Sequence, residues 1–228
     1  MSEPNKVSRS PFYPAFLDVG GARCVVVGGG SVAARKVRTL VEAGATVTVV
    51  SPDICGEIEA LAASGGRIAL LRTAFDAGHL QKAFLVVAAT DDPAVNEAVS
   101  REARARGVLV NVVDQPALST FIAPATVARG RLQVAISTGG ASPAFARRLR
   151  ERLEALLSPR LAAYLDAMAE VRALVIEQVP DAERRARIFE ALVSDEFVGR
   201  YLEAEPAAAD AMLMERAREL IAEARTKE

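Results

Sequence analysis

The chain has 228 residues, 51% of them hydrophobic and 25% charged, with a net charge of −1. That is enough chain for a packed core in one large or two modest domains. It is too neutral for an electrostatic binder of nucleic acid and has no apolar run long enough to span a bilayer.

Residues 1–14 are polar and carry prolines, so a loosely held arm is expected there. The start has no signal-peptide pattern, and a cytoplasmic location is the expectation. Phe16 and Leu17 suggest a short edge strand, with Gly20-Gly21 as the turn before a central strand over 23–27. Cys24 opens that strand and reads as a small buried residue.

Next comes Val25-Val26-Val27-Gly28-Gly29-Gly30-Ser31-Val32-Ala33. Three β-branched residues run into three glycines and then into a helix-favouring stretch, with spacing G-x-G-x-x-A at Gly28, Gly30 and Ala33. Gly28 allows the sharp turn, Gly30 lets a pyrophosphate approach the backbone, and Ala33 lets the helix pack on the strand. The free N–H groups and dipole of the helix start favour an anionic diphosphate. The bland alternative is a glycine-rich βα turn, but the strand before, the helix after and the second strand Thr46-Val47-Thr48-Val49-Val50 favour dinucleotide binding.

The helix over 32–42 carries Val32, Val37, Leu40 and Val41 at helical spacing, with Arg35, Lys36 and Arg38 on its exposed face and Gly44 as a C-cap. A nucleotide-binding acid usually ends the second strand. Here Ser51 stands at the strand end and Asp53 two residues on, with no arginine for a 2′-phosphate, so NAD and NADP both stay open at this point. Cys55 follows. Neither cysteine lies in a C-x-x-C pair, so a zinc site is not indicated.

A helix over 54–63 ends at Gly65-Gly66, and a third strand covers 67–71. His79, the only histidine, sits in Gly78-His79-Leu80 and reads as a surface or helix-end residue. Phe84-Leu85-Val86-Val87-Ala88-Ala89 is apolar throughout, as buried parallel strands are. Thr90-Asp91-Asp92-Pro93 then opens a helix that stops at Gly107, and a fifth strand covers 108–112. This alternation predicts a doubly wound parallel sheet.

The pattern then changes. Segments 121–127 and 132–137 flank Arg129-Gly130-Arg131 and predict a β-hairpin, with solvent exposure sufficing for both arginines. Thr138-Gly139-Gly140-Ala141 is a glycine loop, and Ser142-Pro143 starts a helix to Leu157 bearing Arg147, Arg148, Arg150 and Arg152. Those arginines suit an acidic substrate or a solvated face shared with Glu151 and Glu154. Ser158-Pro159 repeats the start signal. Only helices follow, broken near Pro180-Asp181, Ser194 and Glu205-Pro206. Leu161, Leu165, Met168, Val171 and Val175 form an amphipathic stripe of core type.

Ligands of open α/β sheets sit at the carboxyl ends of the strands. The fifth strand ends in Asn111-Val112-Val113-Asp114-Gln115-Pro116. Asp114 there reads either as the acceptor of a proton while hydride leaves or as a loop-capping aspartate. Asp91 and Asp92 are the next candidates for a base.

The glycine loop, continued through Ala34-Arg35-Lys36, resembles that of precorrin-2 dehydrogenases, the dehydrogenase/chelatase part of siroheme synthase. Ala88-Ala89-Thr90-Asp91-Asp92-Pro93 with Asn96, Asn111-Val112-Val113-Asp114, Phe121-Ile122-Ala123-Pro124 and Ser137-Thr138-Gly139-Gly140-Ala141-Ser142-Pro143 resemble its later motifs, in the same order, across about 16–157. The resemblance implies a Rossmann-type parallel sheet (1–123), a small β-hairpin dimerisation segment (124–157) and an all-helical C-terminal domain (158–228). It implies a homodimer that oxidises precorrin-2, a tetrapyrrole, to sirohydrochlorin with NAD+, and in some members inserts ferrous iron as a second substrate. It places Asp114 on the catalytic aspartate. Gly28, Gly29, Gly30, Ser31, Val32, Ser51, Pro52, Asp53 and Thr90 form the cofactor-binding set, and no metal ligand is implied. Ending at Glu228, the chain is expected to lack the methyltransferase module fused to some siroheme synthases.

Two rivals remain on sequence alone. A regulatory NAD-sensing module shares the glycine loop and sheet but needs neither Asp114 nor the hairpin. A helical interaction protein with a vestigial nucleotide fold conflicts with the intact Gly28, Gly30 and Ala33.

Overall fold

Five short apolar segments, four of them carrying two or more valines, pair in parallel to form the first layer of the fold. In the computed structural model, which describes residues 12–226, they are β1 (Arg23–Val27), β2 (Thr46–Val50), β3 (Ile68–Leu71), β4 (Leu85–Ala88) and β5 (Leu109–Val112). Their order across the sheet is β3-β2-β1-β4-β5. The register pairs Val27 with Val50 on one side and with Ala88 on the other. β1 and β4 are buried from Cys24 to Val27 and from Leu85 to Ala88, as strands covered on both faces must be.

The crossovers are α1 (Ser31–Glu42), α2 (Gly56–Ala63) and α3 (Pro93–Ala105). α1 buries Ala33, Ala34 and Val37, and Ala33 is fully covered against the sheet. α3 starts at Pro93 because Asp92 caps it, accepting from the N–H groups of Ala94 and Val95. Two cores lie on the two faces of the sheet. One is built on Val26, Val47, Val49 and Ile58, the other on Val25, Val86, Val99 and Val110.

Residues 1–11 of the expected N-terminal arm lie outside the described residues. The expected edge strand at Phe16 and Leu17 is not formed: both residues are exposed and irregular, and the sheet ends at β3 and β5. Two apolar residues are too few to hold a strand here. The chain turns directly after them, where the Asp18 carboxylate accepts from the N–H of Gly20 at 2.9 Å.

The described chain divides into two units, Met1–Ala123 and Pro124–Glu228. The second opens with an antiparallel hairpin, β6 (Ala125–Arg129) and β7 (Leu132–Ile136), turning at Gly130-Arg131 with Gly130 at φ +57°. Residues 121–124, expected in its first strand, are not part of it. Pro124 has no N–H for a ladder, and Phe121 bonds back to β5 through its N–H to Val110 and its carbonyl to Asn111. Arg129 is not merely a solvated turn residue. Its guanidinium donates to the carbonyls of Glu154 (2.8 Å) and Leu157 (3.4 Å) at the end of α4 (Pro143–Leu156).

Four helices complete this unit: α5 (Leu161–Gln178), α6 (Ala182–Leu192), α7 (Asp195–Glu203) and α8 (Pro206–Thr226). α8 packs against the other three, and Leu213, Ala217 and Ile221 meet Val171, Val175, Leu192 and Tyr201 in one core. Asp181 and Ser194 cap α6 and α7. α5 begins two residues later than Ser158-Pro159 predicts. The Ser158 hydroxyl accepts from the N–H of Arg160, which tightens that turn before the helix starts.

Candidate functional site

The strand order reverses between β1 and β4, and the loops leaving their carboxyl ends frame a cleft of about 530 Å³. Gly28, Gly29, Gly30, Ser31, Val32, Ser51, Pro52, Asp53 and Thr90 all line it, together with Phe75, Asp91, Asp92 and Val95. Sequence spacing placed these residues on three separate loops. The sheet brings all of them together.

The three glycines have different reasons to be there. Gly28 stands at φ +122°, and a Cβ would lie 2.3 Å from the Ala89 carbonyl oxygen. Gly29 packs against the loop after β2: a Cβ would lie 1.8 Å from the Asp53 carbonyl oxygen, and its own carbonyl accepts from the N–H of Cys55. At Gly30 a Cβ would meet nothing within 4 Å, and φ is −84°. The folded protein itself therefore has no need of glycine at Gly30, whereas a group approaching from the cleft does.

α1 starts on Gly30 with no side-chain acceptor at its cap and no acid in its first turn. α3, α4, α6 and α7 all use a side-chain cap. The first N–H groups of α1 are thus left for an outside anion, and the site fits a dinucleotide diphosphate. Among the described residues, no lysine or arginine lines the cleft.

At the β4 loop, the Thr90 hydroxyl donates to the Asn96 carboxamide oxygen and the Asn96 amide donates to the Thr90 backbone carbonyl, fixing that wall. Asp92 is engaged as the α3 cap, one carboxylate oxygen accepting from the N–H groups of Ala94 and Val95. Asp91 is exposed and holds no hydrogen bond or ion pair among the described residues. His79 closes a 3₁₀ turn (Ala77–Leu80), its Nδ1 accepting from the N–H of Asp76, and has no role in the cleft.

Asp114 follows β5. The N–H of Val113 bonds the Ala88 carbonyl, and the N–H of Gln115 bonds the Val112 carbonyl, so Asp114 is the third residue of a tight turn. Its φ is +58°, a left-handed position that glycine or asparagine normally fills. Such strain persists where the surroundings over-determine it, and it gathers at functional sites. The loop-capping alternative is not what the structure shows, because the carboxylate accepts no hydrogen bond from the described residues.

Lys36 also departs from the expectation for α1. It is half-buried rather than on the exposed face of α1. It lies one turn beyond Val32, which lines the cleft. Burial lowers its pKa, Arg35 adds to that, and the Asp114 carboxylate works in the opposite direction. The Lys36 ammonium and the Asp114 carboxylate, neither with a hydrogen-bond or ion-pair partner among the described residues, thus act on each other only through space. The signal was present in the i, i+4 relation to Val32, but the apolar stripe alone put Lys36 outside.

Among the described residues no group of three or more His, Cys, Asp or Glu side chains stands together, and no helix is long and apolar enough to cross a membrane. The second unit has a hollow of about 590 Å³ bordered by Glu196, Arg200, Glu215, Arg216 and Glu219, in which Arg216 is already paired with Glu219.

Residues 15–125 match a family described as NAD(P)-binding, and residues 129–156 match one described as the central part of a sirohaem biosynthesis protein. The siroheme synthase of Methylobacillus flagellatus is 48% identical over 179 residues, covering 77% of this chain and 37% of that protein. The siroheme synthase of Nitrosospira multiformis is 43% identical over 208 residues, covering 89% and 43%. The chain thus spans less than half the length of these relatives. The solved structure of SirC, a precorrin-2 dehydrogenase, superposes with a TM-score of 0.74 at 28% identity, covering 91% of this chain and 100% of that one.

Proposed function

We propose that the chain is a member of the precorrin-2 dehydrogenase family, the dehydrogenase part of siroheme synthase, and that it oxidises precorrin-2 to sirohydrochlorin with NAD+. The reaction takes two hydrogens from the macrocycle: one leaves as hydride and the other as a proton. NAD+, when bound, supplies the hydride acceptor. The remaining work falls to the residues of the chain.

The N–H groups at the start of α1 hold the diphosphate, and Gly30 leaves room for it. Asp53, at the mouth of the cleft, takes ribose hydroxyls. With Asp53 and Asp91 lining the cleft and no cationic side chain among its described lining residues, a 2′-phosphate would lack a counter-charge there, which supports NAD over NADP. Asp114 accepts the proton. The observation that carries the assignment is its strained, partnerless placement at the end of β5, with the Lys36 ammonium within electrostatic reach.

The same carboxylate would serve ferrous iron insertion into sirohydrochlorin, where pyrrole N–H protons must leave and Fe2+ is a substrate. The homodimer is part of this proposal. β6 and β7 form a two-stranded sheet whose outer edges pair with nothing among the described residues. α4 buries only Ala146 and leaves Phe145 58% and Leu156 79% exposed. A second copy is the partner that covers both features.

The test is anaerobic incubation with precorrin-2 and NAD+, following the macrocycle absorbance and NADH together. Stoichiometric NADH is expected. NAD+ binding without turnover would overturn the enzyme reading in favour of a regulatory nucleotide-binding module. Anaerobic incubation with sirohydrochlorin and Fe2+ or Co2+ tests the second activity.

A further inference from the structure

We propose that Ser119 is a positioning residue for Asp114, its hydroxyl holding the turn that aims the carboxylate. The inference rests on the reading of Asp114 as the base. No hydrogen bond from the described residues reaches that carboxylate, so its direction is inherited from the backbone. The backbone in turn sits at φ +58°, which an aspartate holds only under constraint.

Besides the two backbone bonds of the turn, the constraint is a buried hydroxyl. Ser119 is 7% exposed. Its Oγ accepts from the N–H of Val112 at 2.9 Å and donates to the carbonyl of Gln115 at 3.1 Å, with the Val112 carbonyl at 3.3 Å. It therefore grips the first and last residues of the turn that contains Asp114. Ser119 is itself anchored to α3. Arg104 donates to the carbonyls of Ser119 and Ala117, and Ser100 donates to that of Leu118. The turn is thus tied to a rigid helix through two shells of hydrogen bonds.

Thr120 supplies an internal control. β5 is an edge strand, and its outward N–H groups are taken by hydroxyls of the returning loop: Val112 by Ser119 and Val110 by Thr120. Both hydroxyls satisfy an edge amide, but Thr120 does not touch the turn. A purely structural role predicts similar consequences for losing either. A positioning role predicts different ones, because a displacement of about 1 Å at a reacting group costs up to about 100-fold in rate.

The experiment compares Ser119→Ala with Thr120→Ala in the full chain. It measures the NAD+ dissociation constant and the kcat and KM for precorrin-2, and repeats Ser119→Ala in an Asp114→Ala background. Ser119→Ala is expected to lower kcat at least about tenfold, with KM and NAD+ affinity within about threefold. Thr120→Ala is expected to lower kcat less than about threefold. In the Asp114→Ala background, Ser119→Ala should lower the residual rate less than about twofold, since coupled residues are non-additive. Should Ser119→Ala not fold, Ser119→Cys is read in its place, because the thiol fills the same space with weak hydrogen bonds. Ser119→Thr, which keeps the hydroxyl, should restore most of the rate. Equal losses for Ser119 and Thr120, an unchanged kcat, or a full loss in the Asp114→Ala background overturns the proposal and leaves the enzyme reading standing. An inactive wild-type protein that still binds NAD+ overturns both.

Discussion

Alanine at Gly30 and alanine at Gly29 are one methyl group each, one residue apart, yet they should fail in opposite ways. At Gly30 the new Cβ meets nothing within 4 Å and φ is −84°, so the free protein accepts it. As a helix cap, alanine is worse than glycine by about 0.5–1 kcal/mol, and the stiffer unfolded chain returns about 0.4–1 kcal/mol. The melting temperature should stay within about 2 °C of wild type. Affinity for NAD+ should nevertheless fall at least about tenfold, or about 1.4 kcal/mol, because the methyl group occupies the approach to the diphosphate.

At Gly29 the Cβ would stand 1.8 Å from the Asp53 carbonyl oxygen and 2.9 Å from the Ser51 hydroxyl. Real contacts do not close below 3.0 Å, so the loop must move by more than about 1 Å, which costs about 1–3 kcal/mol and several degrees of melting temperature. Thermal melts without ligand and calorimetric titration with NAD+ separate the two outcomes. Wild-type affinity in a folded Gly30→Ala protein, or equal destabilisation by both variants, would refute the reasoning. Gly30→Asp, which adds like charge to bulk, should be worse than Gly30→Ala for binding.

Asp114→Asn should fold and bind NAD+ normally, because asparagine tolerates the left-handed backbone at φ +58°. It should lose about 10²–10⁴-fold in kcat for precorrin-2, and near wild-type turnover would move the base elsewhere, with Asp91 next to test. Light scattering at micromolar concentration should give twice the 24.1 kDa chain mass. Leu156→Glu together with Phe145→Glu should give the monomer, whereas a monomeric wild type contradicts the dimer. Burial pushes the Cys24 thiol up from 9.0 to about 11. The unfolded chain then loses that proton first as pH rises past 9, so stability present below pH 9 falls until about pH 11. The amount is on the order of 3 kcal/mol at most. Denaturant unfolding of wild type and Cys24→Ala at pH 8 and pH 10.5 should show the gap between them narrowing at the higher pH, and a constant gap argues against the thiol.

Much of this protein is legible in its amino-acid order because the causes are local. Runs of valine, the glycine turn and the caps at Asp92, Ser142, Asp181 and Ser194 act within a few residues. The elements, their order and the loops of the cleft could therefore be read directly. Short-range patterns also misled where a partner lies far along the chain. Phe16 and Leu17 look like a strand but pair with no strand among the described residues. Arg129 looks like a turn residue but ties up the carbonyls at the end of α4. Lys36 looks exposed until the folded chain half-buries it. That three consecutive glycines answer to three different neighbours, and that Ser119 clasps the turn of Asp114, depends on backbone approaches and hydrogen bonds between separate loops. Spacing along one strand or helix carries no trace of such contacts, because they exist only once the parallel sheet has brought its carboxyl ends together.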